Sequence, residues 1–223
     1  MQQTALSIIM PVLDEGGHMG TALAALAPLR AQGAEVIVVD GGSRDGTAAL
    51  CAGRADVLMT APRGRAMQMN AGASAASGGM LLFLHADTTL PGNALALVMQ
   101  CTERWGRFDV AIAGRSSLLP VVAALMNCRS RLTGIATGDQ AIFVRRDLFE
   151  EIGGFPEQPL MEDIELCKRL RRRAPPACLR ATVLTSGRRW DSRGAWRTIV
   201  LMWRLRLLYW LGVPAERLAL AYR

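Results

Sequence analysis

Three short apolar runs near the front of the chain each lead to an acid. The run SIIMPV (7–12) leads to Asp14-Glu15, VIVV (36–39) to Asp40, and LLFL (81–84) to His85 and then Asp87. Runs this short, rich in Ile, Val and Leu and lacking helical spacing, read as buried strands. Between them lie alanine-rich stretches with helical apolar spacing, MGTALAALAPLRAQ (19–32) and GRAMQMNAGASAAS (64–77). Strands alternating with helices predict an α/β fold, with a mostly parallel central sheet and helices on both faces. Ligands of such sheets bind outside the carboxyl ends of the strands. The acids therefore fall where a site would be.

The same reading gives strands over 5–12, 34–40, 55–60 and 80–87, with a turn, GGSRDGT, after the second. Helices are expected over 47–54, 92–105, 118–134 and 161–173, and a strand over 109–117. A strand, a short helix and a glycine stop are expected within 139–155. From Trp190 onward the chain reads as one or two amphipathic helices. This divides the sequence into a domain over 1–187 and a basic, Trp-rich helical tail over 188–223.

The 223 residues are 51% hydrophobic and 20% charged, enough for a full core and too apolar for disorder. Lys and Arg exceed Asp and Glu by 26 to 19, and the excess gathers after Lys168. A net charge of +7 points to an anionic partner: nucleic acid, a phosphorylated small molecule or a membrane surface. The five cysteines show no C-x-x-C spacing, and the N-terminus lacks a basic leader. These features predict reduced thiols in a cytoplasmic protein. No apolar run reaches the 18 residues that would mark a membrane span.

Each acid alone has a bland explanation, since Asp is a common turn former and helix cap. Together, carboxylates on one sheet edge repel each other unless they share a cation or a donor. The loop GGSRDGT, with Ser43 and Asp45, carries neither a Walker phosphate loop nor a dinucleotide fingerprint. On an extended strand His85 and Asp87 point to one side, and an oxygen beside an imidazole suits Mn²⁺ better than Ca²⁺. Glu162 and Asp163 open a predicted helix, where acids suit the dipole and where a general base could also be held.

The stretches LSIIMPVLDEG, EVIVVDGGSRDGT, GRAMQMNAGASAASGGMLLFLHADTTLP, GDQAIFVRRDLFEEIGGF and LMEDIELCKRLRR occur in this order over residues 5–173. In this they resemble glycosyltransferase family 2, inverting nucleotide-sugar enzymes of the Rossmann-like GT-A fold. RGRAMQMNAGA, LHADT and LMEDIEL resemble more narrowly the bacterial branch described as radical-SAM/selenodomain-associated transferases, some of them linked with arsenosugar biosynthesis.

The resemblance implies a nucleotide-sugar donor, UDP-linked by preference, and an acceptor that is a small molecule or lipid-linked. Pro11, Asp14 and Glu15 match the first nucleotide loop. Asp40 and Asp45 match aspartates that bind uracil and ribose, with Ser43 between them. Arg65 and Asn70 match the helix approaching ribose and phosphates, and Asp139 joins the donor-binding set. Asp87 matches the last aspartate of the D-x-D motif, which holds Mn²⁺ or Mg²⁺; the first is His85 here. Asp163 matches the catalytic base, with Glu162 beside it. In SGRRW, Arg189 matches a residue that meets the leaving diphosphate.

Three other readings compete. Trp residues among the tail arginines would suit nucleic acid, but the basic residues cluster after the acidic sheet edge and no binding motif accompanies them, so no nucleic-acid partner is expected. A nucleotidyltransferase also uses a parallel sheet with acidic metal ligands. The His85 departure would suit an inactive, ligand-binding relative. In the tail, Trp196, Ile199, Val200, Trp203, Leu207 and Trp210 follow three- and four-residue steps, flanked by Arg197, Arg204 and Arg206. That face would meet an anionic membrane, making the protein peripheral, or else pack on the catalytic domain or a second subunit.

Overall fold

A computed structural model describes residues 5–222. The first half runs β1 (Leu6–Val12), α1 (Gly16–Ala31), β2 (Glu35–Asp40), α2 (Thr47–Cys51), β3 (Val57–Thr60), α3 (Arg65–Ala75) and β4 (Met80–Phe83). Then come β5 (Thr88–Thr89), α4 (Ala94–Met99), β6 (Trp105–Ala113), α5 (Leu119–Thr133), a 3-10 turn (Gly138–Gln140), β7 (Phe143–Arg145) and α6 (Arg146–Glu151). The last part is α7 (Glu162–Arg171), β8 (Ala177–Ser186), α8 (Arg188–Arg193), α9 (Ala195–Trp210) and α10 (Ala215–Tyr222).

The strands form one sheet in the order β3-β2-β1-β4-β7-β6-β8-β5. β3, β2, β1 and β4 pair in parallel, as do β6 and β8. β7 runs antiparallel to both its neighbours, and β5 runs antiparallel to β8. The fold is thus the expected α/β arrangement, with parallel pairings in the majority.

Alternation along β1 builds two layers of core. Leu6, Ile8, Met10 and Val12 face α1, through Met19, Leu23, Leu26 and Leu29. Ile9, with Ile37 and Val39 of β2, faces α3, through Ala66, Met69 and Ala73. This is the two-residue period of a strand covered on both faces. Gly72 lets α3 approach closely: a Cβ there would lie 2.5 Å from Ile9 Cγ2. A third cluster joins Leu160, Met161 and Ile164 to Leu205 of α9 and Leu218 of α10. The helical tail is therefore packed against the start of α7.

Several expectations need correction. The strand expected to run to Asp87 ends at Phe83, so His85 and Asp87 sit on a turn and not on one side of a strand. The helix expected over 92–105 covers only Ala94–Met99, and Trp105 opens β6. Arg107 is almost wholly buried in β6, ion-paired to Asp109 and bonded to Asn127 O at 3.2 Å. An arginine at an inward position hides a strand from a polarity pattern. β8 and β5 had no counterpart in the expectation. Among the described residues, the five cysteines are free, and no helix is long and apolar enough to cross a membrane.

Candidate active site

A cleft of about 400 Å³ opens beyond the carboxyl ends of β1 and β4, bounded by the start of α7 and by α8, α9 and α10. It brings together Pro11, Glu15, Arg65, His85 and Asp87 from the first half of the chain. Asp139, Glu162, Asp163 and Arg189 come to it from the second half. Asp14, Asp40, Ser43, Asp45 and Asn70 are not in its lining.

Four of those five brace the loops behind the cleft. Asp40, buried at the end of β2, accepts the Ser43 hydroxyl and the N–H groups of Gly42 and Ser43 at 3.2 and 3.1 Å. Ser43 Oγ accepts the Asp14 N–H at 2.9 Å, and Asp14 accepts the Arg44 N–H at 2.8 Å. Asp45 accepts the Thr47 hydroxyl at 2.5 Å and the Gly16 N–H at 2.7 Å. These bonds, Thr47 first, hold its carboxyl below the usual range. Buried Gln68 ties the two loops together, donating to Val12 O at 2.9 Å and Val39 O at 2.8 Å. Asn70 points elsewhere, clamping the Phe155 backbone through two bonds of 2.9 Å.

One side of the cleft is fixed by β8. The Thr88 hydroxyl bonds Thr185 at 2.9 Å, and the Ser186 N–H bonds Asp87 O at 3.1 Å. This pairing pins Asp87 and delivers Arg188 two residues later. Arg188 Nη2 lies 3.2 Å from Glu15 Oε2 and 3.8 Å from Asp87 Oδ2, and the guanidinium also bonds His18. Sequence reasoning chose Arg189 and missed Arg188. Arg189 lines the same cleft, with its guanidinium 3.7 Å from the centre of the Tyr222 ring.

Among the described residues no group of three or more His, Cys, Asp and Glu side chains could hold a metal. The donor set instead fits a hard divalent ion taken up through one or two carboxylates and the phosphates of a substrate. Asp87 and Glu15, which share one cation in Arg188, are the carboxylates that would hold such an ion.

The other side is built on the start of α7. Met161, its N-cap, has φ 63°. Asp14 and Ala141, the other non-glycine residues with positive φ among those described, also lie in segments that border the cleft. Clustered backbone strain of this kind is a mark of functional sites. Asp163 Oδ2 accepts the Gly138 N–H at 3.0 Å, and Oδ1 accepts the Ile164 N–H at 2.7 Å. Burial, then repulsion from Glu162, outweigh these bonds and push the Asp163 carboxyl up to about 6. Buried Glu162 lies 3.9 Å from Arg65 Nη1.

His85 Nδ1 donates to Asp139 Oδ1 across 3.2 Å. Burial pushes the Asp139 carboxyl up, but the His85 bond, with the charges of His85, Arg65 and Arg189, brings it below its ordinary value. The His85 ring lies against Gly138, where a Cβ would sit 2.4 Å from ring atoms. Gly138→Ala should therefore displace His85 and the N–H that holds Asp163. A misplacement near 1 Å can cost up to about 10²-fold; about a tenfold loss of kcat is expected, with an unchanged melting temperature. Steady-state rates beside a thermal melt would check it.

Residues 7–115 match the family described as glycosyl transferase family 2. No curated protein matches the chain. Many solved structures share its fold, among them the following three. The mannosyltransferase PcManGT from Pyrobaculum calidifontis, in complex with GDP-Man and Mn²⁺, is 22% identical, with a TM-score of 0.64 over 90% of this chain and 60% of that one. TarS 1–349 of S. aureus, in complex with UDP-GlcNAc, is 20% identical, with a TM-score of 0.66 over 82% of this chain and 59% of that one. Glucosyl-3-phosphoglycerate synthase from Mycobacterium tuberculosis, with Mn²⁺, UDP and glucosyl-3-phosphoglycerate, is 18% identical, with a TM-score of 0.64 over 95% of this chain and 81% of that one. The chain thus spans about 60% of the length of the first two. Residues 7–115, the stretch that matches glycosyl transferase family 2, bring Pro11, Glu15, Arg65, His85 and Asp87 to the cleft.

Proposed function

We propose that the chain is an inverting glycosyltransferase that moves a sugar from a nucleoside diphosphate, UDP by preference, to an acceptor hydroxyl. One observation carries the reading. A carboxylate with raised proton affinity, Asp163, shares a cleft with a carboxylate pair and three arginines, Arg65, Arg188 and Arg189. The first suits an acceptor hydroxyl, and the second suits a diphosphate and its cation. RGRAMQMNAGA, LHADT and LMEDIEL support placement in the radical-SAM/selenodomain-associated branch. In this reading residues 1–187 supply the base and the carboxylates of the transfer, in the cytoplasm, and residues 188–223 add Arg188 and Arg189 and bound the cleft with helices.

In the transfer, the acceptor oxygen attacks the anomeric carbon as the bond to the diphosphate oxygen breaks. Asp163 takes the acceptor's proton on the face opposite the leaving group. Glu162 keeps that carboxylate basic and is itself balanced by Arg65. Arg188 and Arg189 meet the charge that builds on the departing diphosphate. When bound through Asp87, Mn²⁺ or Mg²⁺ would supply further charge neutralisation there. Asp40, Ser43 and Asp45 hold the shape of the loops toward which the nucleoside end would lie.

The test is calorimetry of UDP and GDP with and without Mn²⁺, followed by release of nucleoside diphosphate from a panel of UDP- and GDP-sugars. Pyrophosphate release from a nucleoside triphosphate and a sugar phosphate, with every nucleotide sugar left intact, would make the enzyme a nucleotidyltransferase instead.

The pH profile gives a further prediction. A base titrating near 6 is lost as pH falls, so kcat should drop about tenfold per pH unit below that value. Glu162→Gln removes the like charge that helps raise Asp163. Its acid limb should therefore move to lower pH. A limb that stays in place in that variant would separate Glu162 from the titration.

A further inference from the structure

Helix α9 has an inner face and an outer face of different character. Inside, Leu205 is buried against Leu160, Met161 and Ile164 of the catalytic domain. Outside, Trp196, Trp203 and Trp210 stand one above another at seven-residue steps, 68%, 67% and 78% exposed. Val200, Leu207 and Leu211 fill the gaps and are also exposed. At 3.6 residues per turn these six residues span roughly 100° of the helix surface. Arg197 and Arg204 line one border of the stripe, and Arg206 lies beyond the other. No acid occurs on α9.

We propose that this face docks the protein onto an anionic membrane surface, with α9 lying in the plane of the headgroups. The chemistry fits that occupant on three counts. Indole rings prefer the boundary between headgroups and acyl chains, where one part of the ring is dry and the N–H stays wet. Exposed Arg197 and Arg204 on one border reach lipid phosphates beside a shallowly sunk apolar stripe. The helix is too short and too charged to cross, so it lies on the surface.

A second copy of the chain fits less well. Arg197 and Arg204 border the stripe, so an antiparallel face-to-face pairing of two α9 helices sets arginine against arginine.

Docking also has a consequence for the cleft. Thr198, Met202 and Arg206 line it from the side of α9 next to the stripe. A docked enzyme therefore holds its cleft beside the lipid headgroups. The docking itself does not rest on the transferase reading.

The experiment is co-sedimentation of the full chain with phosphatidylglycerol–phosphatidylcholine vesicles, and with phosphatidylcholine alone, at low and high salt. Two variants accompany it, the triple W196S/W203S/W210S and the double R197Q/R204Q. All five positions are exposed, and thermal melts will confirm that both variants fold. The wild type should bind the anionic vesicles, less at high salt. The triple variant should bind at least tenfold more weakly. The double variant should lose about tenfold in affinity and most of its salt dependence. UDP or GDP binding should be unchanged in both. Two outcomes overturn the proposal: a wild type that ignores anionic vesicles at low salt, or a triple variant that binds them as well as the wild type. Sedimentation velocity adds a third: a dimer that dissolves in the triple variant makes the stripe an interface between copies.

Discussion

Asp163→Asn should leave donor binding intact and lower turnover by roughly 10²–10⁴-fold, the usual contribution of a general base. The carboxamide keeps the shape, and its oxygen can still accept the Gly138 N–H, held at 3.0 Å in the wild type. What it loses is a proton acceptor whose affinity burial and Glu162 have raised to about 6. The start of α7 should hold, because Met161 and Ile164 remain in the apolar cluster with Leu205 and Leu218. The measurement is single-turnover kinetics beside calorimetry of the nucleoside diphosphate. Turnover equal to the wild type would move the base to Glu162.

Asp87→Ala should abolish the Mn²⁺-dependent part of nucleoside diphosphate binding, a loss of roughly 10²-fold or more in affinity if the ion supplies several kcal/mol. The fold should survive. β5 is tied to β8 by the backbone oxygen of Asp87 and by the Thr88–Thr185 pair, and neither uses the lost carboxylate. The melting temperature should stay within a degree or two of the wild type, as for most changes at partly exposed positions. Arg188 would keep its partner Glu15 at 3.2 Å. Metal-dependent affinity undiminished in the variant would remove Asp87 from the role.

The sequence was most legible where local pattern and tertiary packing agree. β1 and β2 are short, apolar and covered on both faces, and the acids at their ends lie where parallel sheets place sites. Glu162 and Asp163 open α7 and line the cleft as expected of a helix start, which is itself a local signal. The illegible parts depend on distant residues. β5 is two residues long and exists only because Thr88 meets Thr185. β8 reads ACLRATVLTS, with Arg180 and Thr182 interrupting its apolar residues. Arg188 could be read as one more arginine in a basic tail. It becomes a site residue only because β8 ends beside Asp87, a hundred positions away. Asp40 and Asp45, expected at the ligand, hold loops outside the cleft lining; a turn former and a ligand look alike in sequence.

The sheet order has a consequence for biosynthesis. Synthesis delivers β1 to β4 first, and these four strands can pair in parallel with one another without help from later residues. The far edge of β4, Met80–Phe83, is wholly apolar and waits for β7, about sixty residues further on. At the usual pace of a ribosome that wait lasts seconds, during which a nascent chain presents an open, sticky strand. A message that ends before β7 would yield a half-sheet with an unprotected edge, prone to joining its own copies. One that ends before β8 would carry Asp163 but leave Asp87 unpinned and without Arg188. Only the last fifth of the chain turns a folded body into a working one.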